Sequence, residues 1–202
     1  MKNFAITLLL ALSSTVPCLA QDNDPLDTPP PRLIVQTGIG LQWFSEVYKL
    51  SSVSAERPLG HYWHVGLQGS FYFQNNEDIF YSREFLGGYE VGVFSKYFLH
   101  GRFSGRKTGL YLGPEIRFGT RRFQTAFVNV FPPPPEPPYI AHKEKVTKIL
   151  LRWGVQWQFG HANLEIAAPF GMESYNSTEA YSANGDRKHF VILPTLQMGL
   201  AF

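Results

Sequence analysis

The residues most able to act together are four carboxylates and three cations spread along the chain. Glu56, Glu90, Glu115 and Glu165 fall in stretches of alternating polarity, on the same face as Lys96, Arg117 and Arg152. Such a set can pair as a salt-bridged interior, relay a proton or ion, or serve as an acid–base couple. Isolated buried charges are expensive, so pairing is the expected outcome. No substrate-sized cleft is implied, which leaves acid–base catalysis without a place. The histidines His61, His64, His100, His142, His161 and His189 form no His-x-His or His-x-x-x-His pair, so no metal site is expected. Cys18 is the single cysteine. A lipid hydrolase or acyltransferase would need a His and a Ser at the barrel mouth or lipid face. The chain has no His-x-Ser pair and no Gly-x-Ser-x-Gly elbow, and only His189 with Ser174 or Ser182 offers an arrangement of that kind. No catalytic residue, cofactor or metal is therefore expected.

A second group is basic. Arg121, Arg122, Lys143, Lys145, Lys148, Arg187 and Lys188 gather around the longest connections, where they would form a rim. Cations there suit the phosphates of a surrounding lipopolysaccharide. Between them runs Phe131–Pro138, with prolines at 132–135, 137 and 138, expected as a polyproline II projection. The Pro132–Pro138 loop would serve as a rigid spacer or a recognition element for a surface partner. A formal net charge of only +2 argues against nucleic acid, whose binding needs a basic surplus.

Positioning these groups falls to strands. The chain of 202 residues is 44% hydrophobic and 15% aromatic but only 17% charged, against a usual charged share of about 25%. Apolar residues recur at every second position, the period of a strand. Phe190, Ile192, Leu196, Met198, Leu200 and Phe202 share one face, and Ile149, Leu151, Trp153, Val155, Trp157 and Phe159 another. Eight strands are predicted, at 32–43, 47–57, 62–74, 85–98, 109–123, 146–159, 162–173 and 188–202. The segment 47–57 alternates least and follows from the even count that a closed antiparallel meander requires. Connections at 58–61, 99–108 and 160–161 read as periplasmic. Those at 74–84, 125–145 and 174–188 read as outer loops, with the short 43–46 on the same side. Pro114, Pro169 and Pro194 interrupt regular pairing and are expected at bulges or strand ends.

Glycine and charge decide which face meets lipid. Ten glycines (38, 40, 66, 88, 92, 113, 119, 154, 171 and 199) sit on the face that carries the interior charges. Small residues suit the concave wall of a narrow barrel, whereas on a convex face exposed to water they would only weaken the strands. The opposite face is bulky and nearly free of charge over about ten residues per strand, the reach of a tilted membrane strand. Trp43, Phe44, Tyr48 and Phe71–Phe73 would form one interfacial girdle, and Trp63, Trp157, Phe159 and Phe202 the other. A secreted lipocalin-like barrel with its apolar face inward is the opposing architecture. At the N-terminus, 1–20 reads as a signal peptide cleaved after Ala20, and 21–31 as a disordered periplasmic lead-in. The barrel is expected over 32–202.

In Gly109–Glu115, Trp157–Glu165 and the ending Pro194–Phe202 the chain resembles small eight-stranded outer-membrane β-barrel proteins, in the broad class of the membrane domain of outer membrane protein A. It looks closest to small barrels abundant in Bacteroidetes. The terminal Phe202, preceded by alternate apolar residues, is similar to the signal read by the barrel-assembly machinery. The resemblance implies an all-β, eight-stranded antiparallel up-and-down transmembrane barrel in the outer membrane. Its implied role is structural or in surface interaction, without enzymatic chemistry. The opposing functional readings are a narrow pore or small-ligand transporter, and a lipid A-modifying enzyme.

Overall fold

The structure, a computed structural model, describes residues 32–43, 48–59, 62–73, 83–99, 108–126, 139–177 and 187–202. The segments read as signal peptide and lead-in, the polyproline run, Phe44 and Ser182 lie outside the described residues. The strands are β1 (Ile34–Gln42), β2 (Tyr48–Pro58), β3 (Trp63–Phe73), β4 (Arg83–Phe98), β5 (Thr108–Ala126), β6 (Tyr139–Phe159), β7 (Ala162–Ala167), β8 (Phe170–Ser177), β9 (Arg187–Ile192) and β10 (Thr195–Ala201). Strands β7 and β8 are one wall strand broken at 168–169, and β9 and β10 another broken at 193–194. The wall therefore has eight strands, as the period-two pattern requires.

Every pairing is antiparallel and joins chain neighbours, until β10 returns to β1 and closes the sheet. Closure satisfies the backbone without a free edge, the condition for a sheet to stand in hydrocarbon. The seam is fastened at its end by Phe202, whose N–H donates to the Leu33 carbonyl at 2.8 Å. The Phe202 carbonyl accepts from Leu33 and Arg32.

Side chains follow the expected parity, with apolar residues outward. Ile39, Leu67 and Ile149 are 67, 64 and 65% exposed, while Lys96, Arg152 and Glu165 are fully buried. An apolar exterior that covers most of the wall is not a surface for water. Packed the other way, as in a lipocalin-like barrel, Trp153 and Leu196 would be central. Instead Trp153 is half-buried and Leu196 exposed, while Glu115 and Arg152 lie inside. At Gly199 a Cβ would come within 2.6 Å of the Gln36 Cα across the seam, so the tight wall demands glycine there.

Three local departures have physical causes. A bulge between Phe85 and Gly87, with Gly87 at φ 116°, switches the parity of β4. Phe85 and Glu90 consequently both face inward, which explains the weak alternation of 85–97. Pro169 and Pro194 sit at the two breaks, and their carbonyls still accept from Leu193 at 2.8 Å and Leu41 at 3.0 Å. Pro114 instead lies within β5, and the β4–β5 ladder skips Ser95 and Lys96 beside it. Strands β5 and β6 also run on to Ala126 and back from Tyr139, so much of the expected 125–145 loop is strand. Alternation persists there, with His142 and Glu144 inward and Lys143 and Lys145 outward.

Two girdle expectations need correction. Tyr48 and Tyr72 are buried inside the barrel, because each shares parity with inward residues of its strand. Trp43, Phe71 and Phe73 at one end, and Trp63, Phe159 and Phe202 at the other, are exposed on the outer wall.

Candidate functional site

The lumen is a stack of ionic tiers between aromatic ends. Toward the short-turn end, Lys96 donates to Glu56 and, at 2.5 Å, to Glu165. Glu165 also accepts from Arg152 Nη2 at 2.6 Å and from the Tyr111 hydroxyl at 2.5 Å. Arg152 Nη1 reaches Gln68 at 2.9 Å and Glu115 at 3.2 Å, and the other Glu115 oxygen accepts from Arg117 Nε at 2.5 Å. Glu56 is further held by Gln156 at 2.7 Å and by the His64 ring at 3.3 Å. All seven residues of the predicted interior network thus lie in the lumen, six of them in this tier.

The seventh, Glu90, belongs to a second tier nearer the outer end. Lys148 Nζ lies 2.7 Å from Glu90 Oε1, 2.6 Å from the Tyr72 hydroxyl and 2.8 Å from Gln42. Tyr72 in turn donates to Glu90 Oε2 at 2.7 Å. Arg121 grips Glu173 with two nitrogens at 2.7 and 2.5 Å, the forked geometry that makes arginine–carboxylate pairs strong. Above this tier Tyr48, Phe85 and Phe123 form a lid, with ring centroids 4.4 and 5.3 Å apart along the row. Below the first tier His64, Phe98 and Tyr111 form a row of tilted rings with centroids 4.7 and 5.6 Å apart.

Arg121 and Lys148 were expected at the basic rim, and this is corrected: both are buried and inward. Arg121 keeps the parity of Glu115 and Arg117, and Lys148 that of Arg152. The other rim residues Arg122, Lys143, Lys145 and Lys188 are exposed on the outer wall. Arg122 stands opposite Lys143 across β5 and β6, and Lys188 opposite Ser174 across β8 and β9. Arg187 opens β9.

Sequence reasoning missed Glu173, Gln42, Tyr72 and Tyr111, which hold Arg121, Lys148, Glu90 and Glu165 in the tiers. Parity was the available signal: Glu173 lies two residues beyond the inward Gly171, and Tyr111 two before the inward Gly113. His189 does not meet Ser174, because the two occupy opposite faces of β8 and β9; its ring instead stacks on Tyr175 at 5.3 Å. Among the described residues, no group of three or more His, Cys, Asp or Glu could hold a metal ion.

No family model and no curated protein matches the chain. Among solved structures, neisserial surface protein A is similar at 12% identity and a TM-score of 0.53, over 87% of this chain and 100% of its own. The attachment invasion locus protein Ail of Yersinia pestis aligns at 12% identity over 86% of this chain and 100% of its own, with a TM-score of 0.49. The N-terminal barrel domain of OprF from Pseudomonas aeruginosa aligns at 13% identity over 86% of this chain and 100% of its own, with a TM-score of 0.38. At these identities, the likeness to neisserial surface protein A speaks to the fold: this chain has the closed, eight-stranded antiparallel architecture of small outer-membrane β-barrels.

Proposed function

We propose that the chain is a non-enzymatic outer-membrane barrel, sealed by its own side chains, with a structural or surface-interaction role carried by its outer loops. The observation that carries this reading is the filled lumen within an apolar wall. Among the described residues, two ionic tiers between aromatic ends place hydrogen-bonded side chains along the axis. The exposed apolar exterior supports residence in hydrocarbon, and the seam at Phe202 supports its role as the assembly signal. On this reading residues 1–20 direct export and are cleaved, and the Pro132–Pro138 loop serves as a spacer or as a recognition element for a surface partner.

The outward cations Arg122, Lys143, Lys145 and Lys188 sit toward the outer-loop ends of β5, β6 and β9, which this reading sets at the level of headgroups. Guanidinium and ammonium groups there would hold lipopolysaccharide phosphates by charge-assisted hydrogen bonds. The combined Arg122→Gln, Lys145→Gln and Lys188→Gln variant should fold normally yet lose lipopolysaccharide in co-purification. Equal retention would contradict the phosphate contact.

A narrow pore is the second reading, favoured by one observation. Both Nη atoms of buried Arg117 lack a hydrogen-bond partner in the protein, so this cation has donors free for water or a passing anion. Planar-bilayer recording separates the two. The sealed barrel gives no unitary conductance, whereas steady anion-selective steps that vanish in Arg117→Gln would establish the pore.

A further inference from the structure

The outer wall is not uniformly smooth. A groove of about 590 Å³ crosses β2 to β5 near the short-turn end; the surface it exposes is mostly apolar, although Glu56, Arg57, Ser95 and Glu115 are among its lining residues. Two rows of outward residues build it. One runs Arg57, Val65, Ser95 and Pro114 from strand to strand, and the next runs Ala55, Leu67, Val93 and Ile116. The depression follows from composition: Ala55 and Ser95 are small where their neighbours are bulky, and Pro114 interrupts the ladder between β4 and β5. Gly66, behind the groove, adds no side chain to fill it.

The level of the groove in the wall is set by aromatics. Immediately toward the short-turn end, Trp63 and Tyr97 face each other in the register with ring centroids 5.0 Å apart, and Tyr62 stacks on Tyr97 at 5.8 Å. Exposed Trp and Tyr at a strand end mark the headgroup level. The trough therefore opens from that level into the hydrocarbon. Arg57 lies at its mouth, exposed, with no carboxylate in ion-pair range among the described residues. A lone arginine on a lipid-facing strand is tolerated near the interface, where its long stem carries the guanidinium to headgroups.

We propose that this groove is a specific phospholipid site: it seats one acyl chain of a glycerophospholipid from the periplasmic leaflet, whose phosphate is held by Arg57. An apolar trough with the unneutralised Arg57 at its headgroup end matches that molecule in both halves. The site lies at the opposite end from the proposed lipopolysaccharide contact. It rests on the membrane reading above, and the test keeps the two apart.

The test uses the refolded barrel in detergent with palmitoyl-oleoyl phosphatidylglycerol as the probe, followed by native mass spectrometry. A diacylglycerol with the same chains serves as the control that lacks phosphate. The wild type should retain one phosphatidylglycerol and little diacylglycerol. Arg57→Gln should lower retention about tenfold, the loss of one charge-assisted hydrogen bond. Ser95→Leu should block the groove to a similar extent, while Arg122→Gln at the other end leaves retention unchanged. The heat-modifiable gel shift is read in parallel, so that a failure to form a membrane barrel is not mistaken for loss of the site. Undiminished retention in Arg57→Gln would overturn the proposal, as would equal retention of diacylglycerol or an equal loss in Arg122→Gln. Arg57→Gln lies on the surface and keeps the test decisive even if Ser95→Leu fails to fold.

Discussion

Glu165 shows how tightly each interior charge is shared. Its carboxylate accepts from Lys96, Arg152 and Tyr111, so removing it leaves Lys96 with Glu56 and Arg152 with Glu115 as their remaining carboxylates, in an interior one negative charge poorer. Breaking a buried pair from one side costs about 3–5 kcal/mol. Glu165→Ala should therefore lower the urea midpoint of the folded barrel in detergent, with a loss of unfolding free energy (midpoint shift times m) toward that range. A midpoint equal to wild type would refute the network. The reassigned lysine gives a sharper contrast. Lys148→Ala should be strongly destabilising, whereas Lys145→Ala, three residues away but outward, should change stability by no more than about 0.5 kcal/mol. Equal effects would mean that the inward assignment of Lys148 is mistaken. Six members of the lower tier were legible from parity and charge. Arg121 and Lys148 were misplaced because proximity to a long connection was allowed to outweigh the face they occupy. Which acid meets which base was not legible, since pairs such as Lys96 with Glu165 span 69 residues and depend on barrel closure.

Among the elements, β4 and the β1–β10 seam carry the clearest consequences. The bulge at Gly87 places Phe85 in the aromatic lid while keeping Glu90 in the upper tier. A branched residue at φ 116° is strained, so Gly87→Val should cost about 1–3 kcal/mol. Circular dichroism melts in detergent would check this, and an unchanged melt would show that the bulge is dispensable. At the seam, Phe202 combines an exposed aromatic ring with backbone bonds to Leu33 and Arg32. Phe202→Ser should lower the yield of membrane-assembled barrel while total expression persists. An undiminished assembled fraction would count against the terminal signal. The strands were legible because one face had to be greasy along most of the wall. Strand β2 was hard to read because its outward face carries Lys49, Ser51, Val53, Ala55 and Arg57, only one of them a large apolar residue. The breaks at 168–169 and 193–194 were signalled by proline. The bulge was not, because a positive φ at Gly87 rather than at Gly88 is a tertiary choice.

At the scale of the whole molecule, the barrel has an ionic core and a largely apolar outer wall, which the proposed function sets against lipid. The opposing charges of the tiers meet within one enclosed space, and the apolar free energy is gained outside it, against lipid. Fold and orientation were legible because they follow from the parity of every strand together. Function was less so, because the outer loops that would carry it impose no periodic pattern. The most direct measurement of that orientation is spin labelling at single introduced cysteines in proteoliposomes. Labels at Ile39, Leu67 and Leu196 should be relaxed by lipid-dissolved oxygen and shielded from a water-soluble nickel reagent. Labels at Ser52 and Ser54 should be shielded from the oxygen-rich bilayer interior. Nickel access at Ile39, Leu67 and Leu196 would contradict the outward placement of the apolar face.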